Sequence, residues 1–264
     1  MIGAMASSEL EKGLGQTEHR PYPLPEGPWI LRMRWHDLLF MHWPVPEGWL
    51  RPLIPPALEL DTFDGSAWLG VVPFRMEGVR PRLLPAVPWL SSFPELNLRT
   101  YVTHREKPGI WFFSLDAHNP MAVRLARATF GLPYFDAEMS CEVHDEEVRY
   151  RSVRTHKGAP SARLVASYRP TEERFDSRPG TLEHFLTERY CLYSAGATER
   201  ASGSGRVRRG DIHHRLWPLQ GAEIEVEELE MTAQIGLALP DTEPTLHHAR
   251  RLDVVAWPPK RIDA

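Results

Sequence analysis

Positions 93 to 102 read FPELNLRTYV, and alternate residues of that run are Glu95, Asn97, Arg99 and Tyr101. In an extended strand alternate side chains share one face, so a carboxyl, an amide, a guanidinium and a phenol would stand in a row. Such a set could exchange a proton, clamp a substrate carboxylate and polarise a carbonyl. A second strand, IWFFSLDAH at 110 to 118, follows the turn THREKPG, and a short loop of this kind joins antiparallel partners. Setting Tyr101 against Phe112, Arg99 against Ser114, Asn97 against Asp116 and Glu95 against His118 matches polar with polar. A slip of one residue sets Arg99 against Phe113 and Asn97 against Leu115, and moves every side chain to the other face. The matched register predicts that Glu95, Asn97, Arg99, Ser114, Asp116 and His118 share a face, which grades into Tyr101, Phe112 and Ile110. A few polar groups beside aromatic walls have the composition of a small-molecule pocket. The alternative is a buried ion-pair network with Arg99 held between Glu95 and Asp116. The two readings can coexist.

The rest of the chain must position that pair of strands. RMRWHDLLFMHWPVP (32 to 46) reads as an aromatic-rich strand on which His36 and His42, six apart, would share a face. WLRPLIPPALELD suggests one helical turn and a bend, broken by Pro52, Pro55 and Pro56. SAWLGVVPFRM (66 to 76) is apolar on both faces, hence an interior strand. VRPRLLPAVPWLSS is too rich in proline for a regular element and reads as a long loop, a lid or a wall. PMAVRLARATF (120 to 130) is the clearest helix, with proline first, glycine after, and Met121, Leu125 and Ala128 at helical spacing. AEMSCEVHDEEVRYRSVR reads as a hairpin and ARLVASYRP as a further strand, and Thr181 is an N-cap for a short helix. GRVRRGDIHHRLW, AEIEVEEL and TLHHARRLDVVAW again read as strands. There is no internal repeat and no shift of composition. The expectation is a mainly β (α+β) single domain over 26–260 with two or three short helices, after a flexible arm at 1–25 that ends PYPLPEGP.

The totals narrow the partners. The 264 residues carry a net charge of −4, and of 31 cationic side chains only Lys12, Lys107, Lys157 and Lys260 are lysines. Nothing in that balance is the footprint of a protein that binds nucleic acid or an anionic membrane. The densest basic run, RVRRG beside SGSG at 202 to 210, reads as a solvated loop. Two cysteines make no disulfide framework. No apolar run approaches the ~20 residues that span a bilayer, and the first residues lack a signal-peptide core, so a soluble cytoplasmic protein is expected. His213–His214 and His247–His248 are adjacent pairs that point to opposite faces of a strand. No phosphate loop, dinucleotide-binding glycine pattern or nucleophile elbow is present. No metal and no cofactor is expected.

LRPLIPPALELD, AWLGVVPF, FPELNLRTYV, PGIWFFSLDA and ARATFGLPYFDA, in that order and spacing, resemble the YqjF-like family of uncharacterised bacterial proteins, over roughly residues 28 to 257. The family in turn resembles the acetoacetate decarboxylase superfamily, which implies an antiparallel, cone-shaped β-barrel with peripheral strands, and a homo-oligomer. In those decarboxylases the stretch similar to Arg127–Pro133 is followed by two lysines, the first of which forms a Schiff base with the substrate ketone. Here those positions are Tyr134 and Phe135. The resemblance therefore excludes Schiff-base decarboxylation by that route. It carries over Glu95 as an active-site glutamate, with Asp116 and Arg127 also matching. A second glutamate of the decarboxylases falls near Gly70, and their arginine near His36.

Three functions are compatible with these residues. The first is acid–base chemistry on a small carboxylate or carbonyl compound, with Glu95 exchanging the proton, Arg99 or Arg127 clamping the carboxylate, and Tyr134 or His118 polarising the carbonyl. The second is a binding or sensing module using the same cavity without turnover. The third is a structural role, in which Glu95, Arg99 and Asp116 contact only one another.

Overall fold

Strand-forming runs separated by prolines and glycines fold into a mainly β chain with few helices. The computed structural model describes residues 15–196 and 207–262, with the side chains of Pro88 and Ala122 left aside. The first long strands are β1 (Leu31–Val45), β3 (Ala67–Pro81), β4 (Phe93–His104) and β5 (Lys107–Ala117), with a two-residue β2 (Glu59–Leu60) between β1 and β3. Then come β6 (Tyr134–His144), β7 (Glu147–Arg154), β8 (Arg163–Pro170) and the short β9 (Phe175–Asp176). The chain continues through β10 (Cys191–Ser194), β11 (Val207–His213), β12 (Pro218–Gln220), β13 (Ala222–Glu230), β14 (Thr245–Ala256) and β15 (Lys260–Ile262). Among the described residues four α-helices punctuate them: α1 (Glu47–Leu50), α2 (Pro88–Ser91), α3 (Pro120–Phe130) and α4 (Leu182–Thr187). Thr181 caps α4 as expected, accepting from the His184 N–H at 3.4 Å.

Hydrogen-bonded neighbours run β5–β10–β11–β14–β1–β3–β4, and β4 pairs with β5 again, so the path returns to its start. The link from β5 through α3 to β6 is a crossover, and it makes β6 parallel to β5, with Tyr134 beside Leu115. From β6 the chain meanders antiparallel through β7 and β8 to β13.

Strands β1, β3 and β4 are buried on both faces along most of their length, so a core forms on each side of them. On one face Phe40, Val72, Phe74, Tyr101, Leu115 and Trp217 belong to the same cluster. On the other, Leu39, Met41, Val71, Leu96 and Leu98 pack against Met139, Tyr150, Leu164 and Tyr168 of the meander. The outermost strand, β13, is largely exposed and carries five glutamates, a charge load that discourages edge-to-edge pairing.

One residue resets the alternation of β1. Asp37 has φ 54°, in the left-handed region that Asp tolerates better than most residues. Its carboxylate meets Arg75 at 3.2 Å, and its carbonyl accepts the Tyr168 hydroxyl at 2.7 Å. Before it Met33 and Trp35 pack into the first core; after it Leu38 and Phe40 do. His36 and His42 therefore do not share a face. The former lies outside, with Nε2 3.0 Å from Glu77, and the latter is fully buried within.

Other expectations are corrected. The proline-rich stretch 79–92 is not one loop, since Val79–Pro81 continue β3 and Pro88–Ser91 form α2. Helix α3 forms where expected but turned over, burying Val123 and leaving Met121 and Leu125 52% and 58% exposed. Of the arm expected over residues 1–25, residues 1–14 lie outside the described residues. His19 bonds the His214 carbonyl at 2.9 Å, and buried Arg20 donates to the Ile212 carbonyl at 2.9 Å. SGSG and Arg206 of the basic run also lie outside the described residues, while Val207–Gly210 belong to β11.

Candidate functional site

The β4·β5 register differs from the polar-matched one. Glu95 faces Ala117, Asn97 faces Leu115, and after a bulge at Phe113 Arg99 faces Phe112 and Tyr101 faces Ile110. Burial decides it: matching polar with polar would have placed Leu115 and Ala117 away from the first core, where both are almost fully buried. Glu95, Asn97, Arg99 and Tyr101 thus share a face as expected, but Ser114 and Asp116 lie on the opposite one. There Asp116 makes a two-pronged ion pair with Arg154, Nε–Oδ1 2.7 Å and Nη2–Oδ2 2.9 Å, both side chains 1% exposed. Arg99 is not held between Glu95 and Asp116.

At one end of the row Glu95 is 2% exposed and accepts the Tyr134 hydroxyl at 2.8 Å. Burial raises its carboxyl to about 8; the Tyr134 hydrogen bond opposes that shift and Asp116 adds to it. At neutral pH the group is thus largely a neutral acid holding a transferable proton. The Tyr150 hydroxyl fixes the backbone beneath it, donating to the Glu95 carbonyl at 2.7 Å.

At the other end Arg99 is 6% exposed and pairs with no carboxylate among the described residues. Its Nη2 donates to the Tyr101 hydroxyl at 3.2 Å and to the Leu186 carbonyl, in the last turn of α4, at 3.4 Å. Its Nε has no partner. Tyr101 in turn meets His42 Nε2 at 2.6 Å and donates to the Leu186 carbonyl at 2.8 Å. Burial, with Arg99 second, holds the His42 imidazole neutral, well below its usual range, and its Nδ1 is unpartnered. Gly70 lies between the two on β3, opposite His42 and Arg99 in the adjacent strands. A Cβ there would come 2.9 Å from the imidazole and 3.2 Å from Arg99 Cγ, so glycine makes the room that both side chains occupy. Between the ends stands Asn97, whose Oδ1 is also buried without a partner, flanked by Val72 and Leu115.

Three orphaned polar atoms on one face are costly in a dry interior. The remaining residues singled out from sequence lie elsewhere. His118 accepts the Met139 N–H at 3.3 Å and lines a groove of about 360 Å³ with Trp89, Phe93, Asn119, Met121 and Arg124. Phe93 lies two residues before Glu95 on the same face of β4, but Glu95 does not line this groove. Arg127 is exposed and donates to the Tyr134 backbone carbonyl at 3.1 Å. His36 belongs to the outer charged layer. Sequence reasoning missed His42 and the Leu186 carbonyl. The first was hidden by the reset at Asp37, and the second is a backbone atom with no sequence signal.

The sequence profile of DUF2071, described as an uncharacterized conserved protein, matches residues 32–253. The chain belongs to this family. It is 46% identical over 235 residues to the uncharacterized protein YqjF of Bacillus subtilis (strain 168), covering 89% of this chain and 93% of that one. Among solved structures it resembles the enduracididine biosynthesis enzyme MppR complexed with pyruvate (TM-score 0.59, 11% identity, 90% of this chain and 91% of that one). It also resembles the acetoacetate decarboxylase of Legionella pneumophila (0.58, 13%, 95% of each). A third neighbour is an acetoacetate decarboxylase-like enzyme of Sphingomonas wittichii RW1 (0.60, 13%, 93% and 98%). These likenesses establish the acetoacetate decarboxylase-like fold. Within it, no described lysine lies on the Glu95–Arg99 face. Lys107 opens β5 at the far end of the hairpin with Nζ 5.0 Å from the Tyr22 ring, and Lys157 and Lys260 are exposed. Phe135 turns outward, over the Arg154 guanidinium at 4.2 Å.

Proposed function

We propose that this chain binds a small carboxylate or carbonyl compound in the interior bounded by β4 and performs acid–base chemistry on it without a covalent amine intermediate. The observation that carries the reading is the Tyr134–Glu95 pair. A phenol stands where the resemblance puts the decarboxylase lysine, bonded to a buried carboxyl whose pKa of about 8 suits proton exchange near neutrality. Glu95 gives or takes the proton, Tyr134 orients it, and Arg99 supplies the charge for the carboxylate. A neighbour of the same fold holds pyruvate, a carboxylate with an adjacent carbonyl, which supports that class of ligand. We infer that the closed strand path encloses a cone-shaped barrel with these groups inside. The reading also carries a cytoplasmic, homo-oligomeric protein. Two free cysteines are compatible with a reducing compartment, and native mass spectrometry reads the assembly.

The direct test is Glu95→Gln, which keeps the shape and the Tyr134 contact but cannot exchange a proton. With a substrate found by screening small oxo acids, turnover should fall by about a hundredfold or more while binding persists, the usual worth of a general acid. Borohydride added with the same acids should leave the protein mass unchanged. An undiminished rate in the variant, or a trapped adduct, refutes the reading. A ligand that binds and is always recovered unchanged favours the second reading, a sensing module with the same cavity.

A further inference from the structure

The polar row has its charge at one end, its acid at the other and, between them, an amide whose oxygen is unpartnered. Resting on the carboxylate-pocket reading above, we propose that the row selects ligands by length, taking a carboxylate whose carbonyl lies four or five bonds away rather than one or two. Glu95 and Arg99 are four residues apart on one strand, and at about 3.3 Å per residue their Cα atoms are about 13 Å apart. Side chains stand roughly perpendicular to a sheet, and neither side chain bonds the other. Allowing about 2.9 Å for a hydrogen bond at each end leaves about 7 Å between the two ligand oxygens. That is the reach of an extended chain of four or five C–C bonds of about 1.5 Å. A ligand of one or two bonds cannot touch Arg99 and Glu95 together.

The middle of the row fits such a chain. Val72 and Leu115 beside Asn97 offer apolar contact to methylene groups, and the unpartnered Asn97 Oδ1 suits one hydroxyl or amine donor partway along. His42 Nδ1, also unpartnered, adds polarity only at the Arg99 end. The class is therefore a medium-length oxo acid with an internal donor, anchored by its carboxylate.

Calorimetric titration of the purified chain with pyruvate, acetoacetate, levulinate and the next two longer oxo acids tests this. Affinity should peak at the two longest members, at least about tenfold above pyruvate, and their methyl esters should bind about tenfold more weakly than the acids. The ester arm removes the charge without touching the fold, so it holds even if Arg99→Gln is unstable. If pyruvate or acetoacetate binds as tightly as the longer acids and still loses affinity as the ester, the length rule is wrong while the carboxylate pocket stands. If no member binds, both are wrong.

Discussion

Glu95 is the residue whose protonation the whole chain must accommodate. Its ordinary value is 4.5 and burial raises it to about 8 in the folded protein. Between those values the folded state binds the proton more tightly than the unfolded chain, so the group's contribution is complete below about pH 4.5. It is then lost as pH rises through about 8. We expect the stability difference between Glu95→Gln and wild type to shift in favour of the variant across that window, by on the order of 4–5 kcal/mol in urea denaturation at stepped pH. A difference that stays flat would place the Glu95 carboxyl in contact with water. The same burial makes the neutral acid the resting form, so ligands that need a hydrogen bond from Glu95 should weaken above about pH 8.

At the scale of elements, the Asp116–Arg154 pair joins β5 to the meander and reaches the row only through the charge of Asp116, which adds to the raised pKa of Glu95. Asp116→Ala leaves a buried guanidinium without its partner and should cost about 3–5 kcal/mol by denaturation, whereas replacing both members with Leu and Met should cost far less. Ligand affinity should not change in the double variant; a loss would return Asp116 to the site. The element scale is also where the sequence was legible and where it failed. Every long strand could be placed from its apolar pattern, and the shared face of Glu95, Asn97, Arg99 and Tyr101 followed from alternation alone. What alternation cannot register is an extra residue. The bulge at Phe113 sits inside IWFFSLDA with no glycine to mark it, and it moved Asp116 and His118 off the expected face. Helix α3 has apolar residues on two sides, so spacing alone could not tell Met121 and Leu125 from Val123 and Phe130 as the buried set.

For the whole molecule, the doubly covered strands should behave as the last unit to open. Amide exchange should be slowest in β1, β3 and β4, which are sandwiched between two cores, and faster by several orders of magnitude in the glutamate-rich outer strand β13. Uniform exchange across all four would mean that the meander and the closed path unfold together. The same sandwich gives Asp37 a leverage beyond its own contacts. With both faces of β1 dry beyond Asp37, from Leu38 to Trp43, there is no solvent side to absorb a change of phase there. Deleting that single codon would force one half of the strand to exchange Phe40 and His42 for Leu39 and Met41, turning a basic-ended interior into an oily one. Lineages that keep this inner face polar should therefore tolerate many substitutions along β1, but no length change at this point.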